Sequence, residues 1–310
     1  MTKINETMVE RDAVAYDASR AQRIGDAIES RDLIAAYRKA FGLDVGRFFP
    51  DAQTVLERDR EYLHYRFSSA LPGDDRFYAE LMQRLGYDDG NKPEFVAAAR
   101  HIKDAARVLD VGCGPGRFAE HCAGADYKGI ELNAEAVKEA RLCGRNVALE
   151  DLDDQALGAF DAVTLFQVLE HVPDPVAFLS AAAARVSESG LLIVSTPNMD
   201  GHIGREINHV LNYPPHHLSW WSADAITSLF DRNGFDTIDI WREPLERHHV
   251  TNLIHSILNP MTTKHFDWSL SARILSLAAK IVGKVAVRRY RPAPHLTGQC
   301  IMVVGRRRAV

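Results

Sequence analysis

Residues 108–118 read VLDVGCGPGRF, and this stretch decides the fold. Arg107–Val111 is apolar and β-prone, as a buried strand requires, and Gly112, Gly114 and Gly116 begin directly after it. A helix is expected over 117–123, so the glycines form a strand-to-helix turn. Outward from the turn, strand-like runs at 127–131 (YKGIE), 146–149, 161–166 (DAVTLF) and 190–195 (GLLIVS) alternate with helical spacing at Ala134–Leu142 and 176–186. A further helix at 222–233 opens on Ser222, a good N-cap, and stops at Gly234. Strands at 235–240 and 300–304 (CIMVV) bring the count to seven. Such alternation predicts an α/β protein with a doubly wound, Rossmann-like, mostly parallel sheet. Ligands of these sheets bind beyond the carboxyl ends of the strands, where strand order reverses.

Glycine lets the backbone turn tightly and approach a ligand with no Cβ between them. Two features separate the possible ligands. A dinucleotide site needs GxGxxG, but the position of its third glycine holds Arg117. The turn is also preceded by Asp110, which repels a pyrophosphate and can receive an ammonium group. S-adenosylmethionine carries an ammonium and a sulfonium and no phosphate, so charge favours it over NAD. Glu131 ends the second strand, 19 residues after Gly112, where a carboxylate can accept ribose hydroxyls. Asp151 follows NVALE and can accept from the adenine amine, while Leu132 and Leu152 are candidates to sandwich the ring. Cys113 within the turn, and Phe166 and Gln167 at the end of the fourth strand, complete the expected cofactor set.

The 310 residues are 46% hydrophobic and 25% charged, the balance of a globular protein with ample core. A formal charge of −5 gives no overall drive toward nucleic acid. Four scattered cysteines (Cys113, Cys122, Cys143, Cys300) have no zinc-like spacing and fit free thiols in a reducing compartment, with no metal expected. Neither an apolar leader nor a run of about 18 apolar residues occurs, so a cytoplasmic location is expected. Residues 1–100 are expected to form a helical cap, on helical spacing at 32–41 and 76–85 and a density of aromatics. The cofactor-binding core is assigned to 101–242, a helical insertion to 243–297, and the last strand with a basic tail to 298–310. The insertion's helix, 270–291, is amphipathic. Leu270, Ile274, Leu277, Ile281 and Val285 fall on one side, and Arg273, Lys280, Lys284, Arg288 and Arg291 on the other. A solvated charged face is its ordinary explanation; a peripheral membrane contact or a lid over the acceptor are the others.

VLDVGCGPGRF, GIELN, FDAVTLFQVLEHVPDP and GLLIVSTPN, in this order and spacing, resemble the class I S-adenosylmethionine-dependent methyltransferases. They are most similar to the bacterial branch of the ubiquinone-biosynthesis O-methyltransferases, over roughly 105–240 and the last strand. The stretch FYAELMQRLGYDDGNKPEFVAAARHI also resembles the lead-in of glycan-modifying methyltransferases. Several of those carry a cysteine pair before that point, which is missing here. The resemblance implies S-adenosylmethionine as cofactor and places the acceptor after the fourth and fifth strands. There stand His171, in LEHVPDP, and His216 and His217, in NYPPHHLSWWS. Histidine is the usual base near neutral pH, so these three are the candidate catalytic residues. Related quinone methyltransferases hold a divalent metal at the EHVPD position, which maps onto Glu170, His171 and Asp174 as an alternative use.

The leading expectation is O-methylation of a hydroxyl on a sugar, glycan precursor or similar small molecule. Quinone- or lipid-type O-methylation at a membrane surface is the alternative, and a scaffold that only binds the cofactor is a third. Nucleic acid is not an expected partner. The Asn/Asp-Pro-Pro-Tyr/Phe motif of base-amino methylation is missing, and the basic tail, Arg306–Arg308, is short. Trp220 and Trp221 are read as packing residues rather than a carbohydrate platform.

Overall fold

A computed structural model describes residues 18–85, 92–104, 106–154, 158–206, 209–258, 270–291 and 296–309. Its centre is the expected seven-stranded sheet. Strands β4 (Arg107–Val111), β5 (Asp126–Glu131), β6 (Val147–Leu149), β7 (Phe160–Phe166) and β8 (Val186–Pro197) are parallel. β11 (Thr297–Arg307) runs antiparallel between β8 and β10 (Phe235–Pro244), giving the order β10-β11-β8-β7-β4-β5-β6. The chain moves outward from β4 through β5 to β6, then returns to lay β7 on the other side of β4. The crevice of a doubly wound sheet therefore opens above β4 and β7.

Both faces of this sheet are covered, which is why its central strands are apolar at consecutive positions rather than at alternate ones. Leu109, Val163, Leu165, Leu192 and Val194 are fully or almost fully buried in one continuous core. Each such side chain contributes roughly 1.5–3 kcal/mol by leaving water. The Asp174 side chain caps the helix Pro175–Ala184 by accepting from the Ala177 N–H at 3.0 Å. Ser222 does the same for Ala223–Arg232, and Gly234 ends that helix at a φ of +80°. One local expectation changes: the segment after the glycine turn is a five-residue 3-10 helix, Arg117–His121, not a full α-helix.

The cap is not purely helical. Its helices are α1 (Ser30–Phe41), α2 (Asp75–Leu85) and α3 (Pro93–Ala99). It also holds three strands, β1 (Ala21–Glu29) ahead of α1 and β2 (Gln53–Asp59) and β3 (Tyr65–Phe67) between α1 and α2, joined by β9 (Ser219–Trp220) in an antiparallel sheet. The alternation in β2 was hidden because the buried positions include Thr54 and Asp59, both polar. In β1 a register shift between Ile24 and Ile28 breaks the period of two. The cap has its own core, in which Leu33, Tyr37, Phe48, Phe67 and Phe77 pack against Tyr213 and Trp220. In the insertion, α7 (Val250–Leu258) packs against α8 (Leu270–Arg289). Residues 1–17 and 86–91 of the expected cap, and 259–269 and 292–295 of the insertion, lie outside the described residues.

Candidate active site

The glycine turn stands at the carboxyl end of β4, with φ values of +65° at Gly112, +53° at Gly114 and +70° at Gly116. The three glycines serve different ends. A Cβ on Gly112 would meet Val168 at 2.8 Å, and one on Gly116 would meet Val147 at 2.6 Å, so those two permit close packing. A Cβ on Gly114 would have no neighbour within 4 Å. Its missing side chain leaves the room that a ligand needs.

Glu131, at the end of β5, holds this turn. Its Oε2 accepts the Gly114 N–H at 2.9 Å, and its Oε1 accepts the N–H groups of Leu132 and Asn133, each at 2.8 Å. A carboxylate offers roughly four lone-pair sites, so one remains on Oε2. That leaves a place for one ribose hydroxyl rather than the two expected.

Asp110 differs from its expected posture. It is 2% exposed, and it accepts the hydroxyls of Tyr127 and Thr164 at 2.8 Å each. Burial raises its pKa to about 7 against the pull of those hydroxyls and of Lys92. The acid sits beneath the turn and does not project as a ligand arm. Cys113 fits against Gly129, where a Cβ would come 2.5 Å from its Sγ.

The remaining cofactor candidates are distributed unevenly. Asp151 is half-buried, and its Oδ1 accepts the Asp153 N–H at 3.3 Å. Leu132 is half-buried too, but Leu152 is 3% exposed in the main core and has little surface left for a ring. Phe166 packs edge-on against Phe95 and tilted against Phe118, at 4.8 and 4.6 Å between ring centres, and is a wall residue. Gln167 has a φ of +57°, and its side-chain amide reaches toward Ser195 and Cys300.

Across the crevice the structure brings His171, His216 and His217 together, with ring centres 4.5–5.0 Å apart. The Nδ1–H of His171 donates to the His216 carbonyl at 2.6 Å, and that of His216 to the Leu211 carbonyl at 2.9 Å. This fixes both tautomers with Nε2 unprotonated, and that of His171 lies 3.7 Å from Glu170 Oε1. Burial lowers the pKa of His171 to about 4 and of His216 to about 3, and His217 is also pushed well down. All three are neutral at physiological pH. One ligand atom from each lies within 4.8 Å of the others, so the cluster can hold a transition ion, which nitrogen donors suit. Asp174, the third member of the alternative metal set, is engaged as a helix cap instead.

Several neighbours lie outside the expected catalytic set. Tyr78 of α2 places its hydroxyl 3.4 Å from His171 Nδ1 and from the His216 carbonyl. Glu170 is 1% exposed, its two oxygens lack a hydrogen-bond partner, and burial lifts its pKa to about 8. Lys92, at the start of α3, acts electrostatically on Asp110, Glu170 and His171 together. Only the aromatics of the cap hinted at Tyr78, Glu170 was named solely for the alternative metal set, and nothing local marked Lys92.

These residues fit S-adenosylmethionine and not a dinucleotide. The open position at Gly114, a spare acceptor on Glu131 and a buried acid suit a cationic nucleoside, whereas a five-residue 3-10 helix offers little dipole to a pyrophosphate. Fold, turn and carboxylates together define the class of S-adenosylmethionine-dependent methyltransferases. A family model described as a methyltransferase domain matches residues 62–240, more than half of the chain, and the protein belongs to that family. It is similar to the ubiquinone biosynthesis O-methyltransferase of Xanthomonas campestris, 45% identical over 33% of this chain and 47% of that protein. The Xanthomonas oryzae protein of the same name is 46% identical over the same shares. The chain thus spans about half the length of the curated relatives it matches. Among solved structures, a SAM-dependent methyltransferase from Archaeoglobus fulgidus has the same fold. Its TM-score is 0.50 at 19% identity, over 74% of this chain and 99% of that one.

Proposed function

We propose that the protein O-methylates a small molecule whose acceptor is an acidic, ring-borne hydroxyl. The observation that carries this is the histidine cluster in the segments that follow β7 and β8, built from neutral imidazoles whose tautomers are fixed by backbone carbonyls. When bound, S-adenosylmethionine supplies an electrophilic methyl group. The protein's own part is to hold the acceptor oxygen in line and to take its proton. Orientation of two reactants can contribute roughly 7–11 kcal/mol to such a transfer. His216 offers its Nε2 for the proton, while that of His171 stands 3.7 Å from Glu170 Oε1, and Tyr78 packs its ring against both imidazoles.

An imidazole with lowered basicity takes a proton more readily from a phenol-like hydroxyl, at a pKa of about 10, than from a less acidic sugar alcohol. The buried indoles of Trp220 and Trp221 also offer no platform to a saccharide. Both points favour the quinone-precursor type of acceptor, which the names of the Xanthomonas relatives also suggest. The test is an acceptor panel of dihydroxylated aromatic rings and sugars, with methyl transfer followed from labelled cofactor. Turnover of the aromatic acceptors should fall at least about 100-fold in a His216→Ala/His217→Ala variant that still binds S-adenosylhomocysteine. Methylation of sugars alone, or full turnover in that variant, refutes the proposal.

A further inference from the structure

The long helix of the insertion faces the opposite way from an ordinary amphipathic helix. α8 meets α7 through its small residues. Ala279 is fully buried, and a Cβ on Gly283 would come 2.9 Å from the Thr251 side chain. Its large apolar residues point away. Leu270, Ile274, Leu277, Ile281 and Val285 are 71, 58, 60, 59 and 53% exposed. At 3.6 residues per turn these five fall within an arc of roughly 80°, one continuous stripe. Contiguous apolar surface of this kind marks a contact site on a soluble domain.

Charge identifies the partner. Residues 270–291 hold Arg273, Lys280, Lys284, Arg288, Arg289 and Arg291 and no aspartate or glutamate, in a chain whose net charge is −5. Arg273, Lys280 and Lys284 run along one border of the stripe, where long side chains can reach outward past buried neighbours. A second copy docked stripe to stripe would set two acid-free basic helices against each other. An anionic bilayer satisfies both features, since the stripe enters the acyl boundary while the bases meet headgroups. No described helix is long and apolar enough to cross a membrane. We propose that α8 is an interfacial helix that docks the protein on anionic lipid surfaces. The partner helix α7 also packs against Ile203–Arg205, a segment that follows β8.

The test is co-sedimentation of the whole protein with phosphatidylcholine vesicles, with and without phosphatidylglycerol. Binding is expected only to the anionic vesicles and should weaken as salt rises. Leu277→Glu/Ile281→Glu and Lys280→Glu/Lys284→Glu should each reduce it at least about 30-fold, the loss expected from two bases at a charged surface. These positions are exposed, so S-adenosylhomocysteine binding should be unchanged in both variants and reports folding. Absence of binding, equal binding to neutral vesicles, or a sedimenting dimer that the Leu277→Glu/Ile281→Glu change dissolves would each overturn the inference.

Discussion

Gly114→Ala, set beside Gly144→Ala, tests the cofactor cradle without confusing it with folding. Both glycines have positive φ, +53° and +72°, and at both an added Cβ would have no neighbour within 4 Å. The backbone cost is therefore common to the two, about 1–2 kcal/mol for an L-residue held in the left-handed region. Gly144 follows the helix Ala134–Leu142 and is not part of the turn, whereas Gly114 donates to Glu131 at its centre. If the space over Gly114 belongs to the cofactor, its new methyl must be accommodated against a bound ligand, which costs about 1–3 kcal/mol more. That is a loss of about 5-fold to 150-fold in affinity at 1.4 kcal/mol per decade. Thermal melts without ligand should show similar destabilisation in the two variants. Calorimetry with S-adenosylhomocysteine should show weakened binding in Gly114→Ala alone. Binding by Gly114→Ala within about twofold of the parent, or an equal loss in Gly144→Ala, refutes the assignment.

Tyr127→Phe removes one of two hydroxyls from buried Asp110 and should lower stability by about 1–3 kcal/mol, read by denaturant titration above neutral pH; no loss would mean the acid is already protonated there. The ligand-free, metal-free protein should be most stable near pH 6.5. Below that, His64, His171, His216 and His217 stay neutral when folded but charge when unfolded, so stability rises with pH, and these four outnumber the two opposing carboxyls. Above it, Asp110 and Glu170, with folded pKa values of about 7 and about 8, still hold protons that the unfolded chain has lost, so stability falls as pH rises. Denaturation curves that strengthen steadily up to about pH 8 would contradict this balance. Cobalt(II) titration should give the visible bands of nitrogen ligation in the parent protein and lose them in His217→Ala; bands that survive place the ion elsewhere.

The central sheet was legible because its cues are local. Arg107–Val111, the glycines and the cap at Ser222 each declare themselves within a few residues. The strands of the cap were not, since β3 pairs with β9 across about half the chain and β2 buries Thr54 and Asp59. The histidines could be named from their positions after the strands, but their convergence depends on the fold. Asp110 could be recognised as an acid beside the turn. Its inward orientation could not be read, because Leu109 and Val111 on either side are buried as well and leave no alternation to show direction. For α8 the periodicity revealed two faces but not which one was covered, and small residues at Ala279 and Gly283 decided that.

The pairing of β3 with β9 has a structural corollary. Ser219 and Trp220 follow directly on His216 and His217, and they are stitched edge to edge with Tyr65 and Arg66 of the cap. The Tyr37 hydroxyl also donates to the carbonyl of Tyr213, just ahead of the histidines, at 2.8 Å. The imidazole loop is thus moored at both ends to the amino-terminal sheet and helices, while the glycine turn is tied to β5 and, through Arg145, to the segment ahead of β6. Changes at β3 or α1 reach the acceptor side first, so that half of the reaction is free to diversify around a cradle anchored elsewhere.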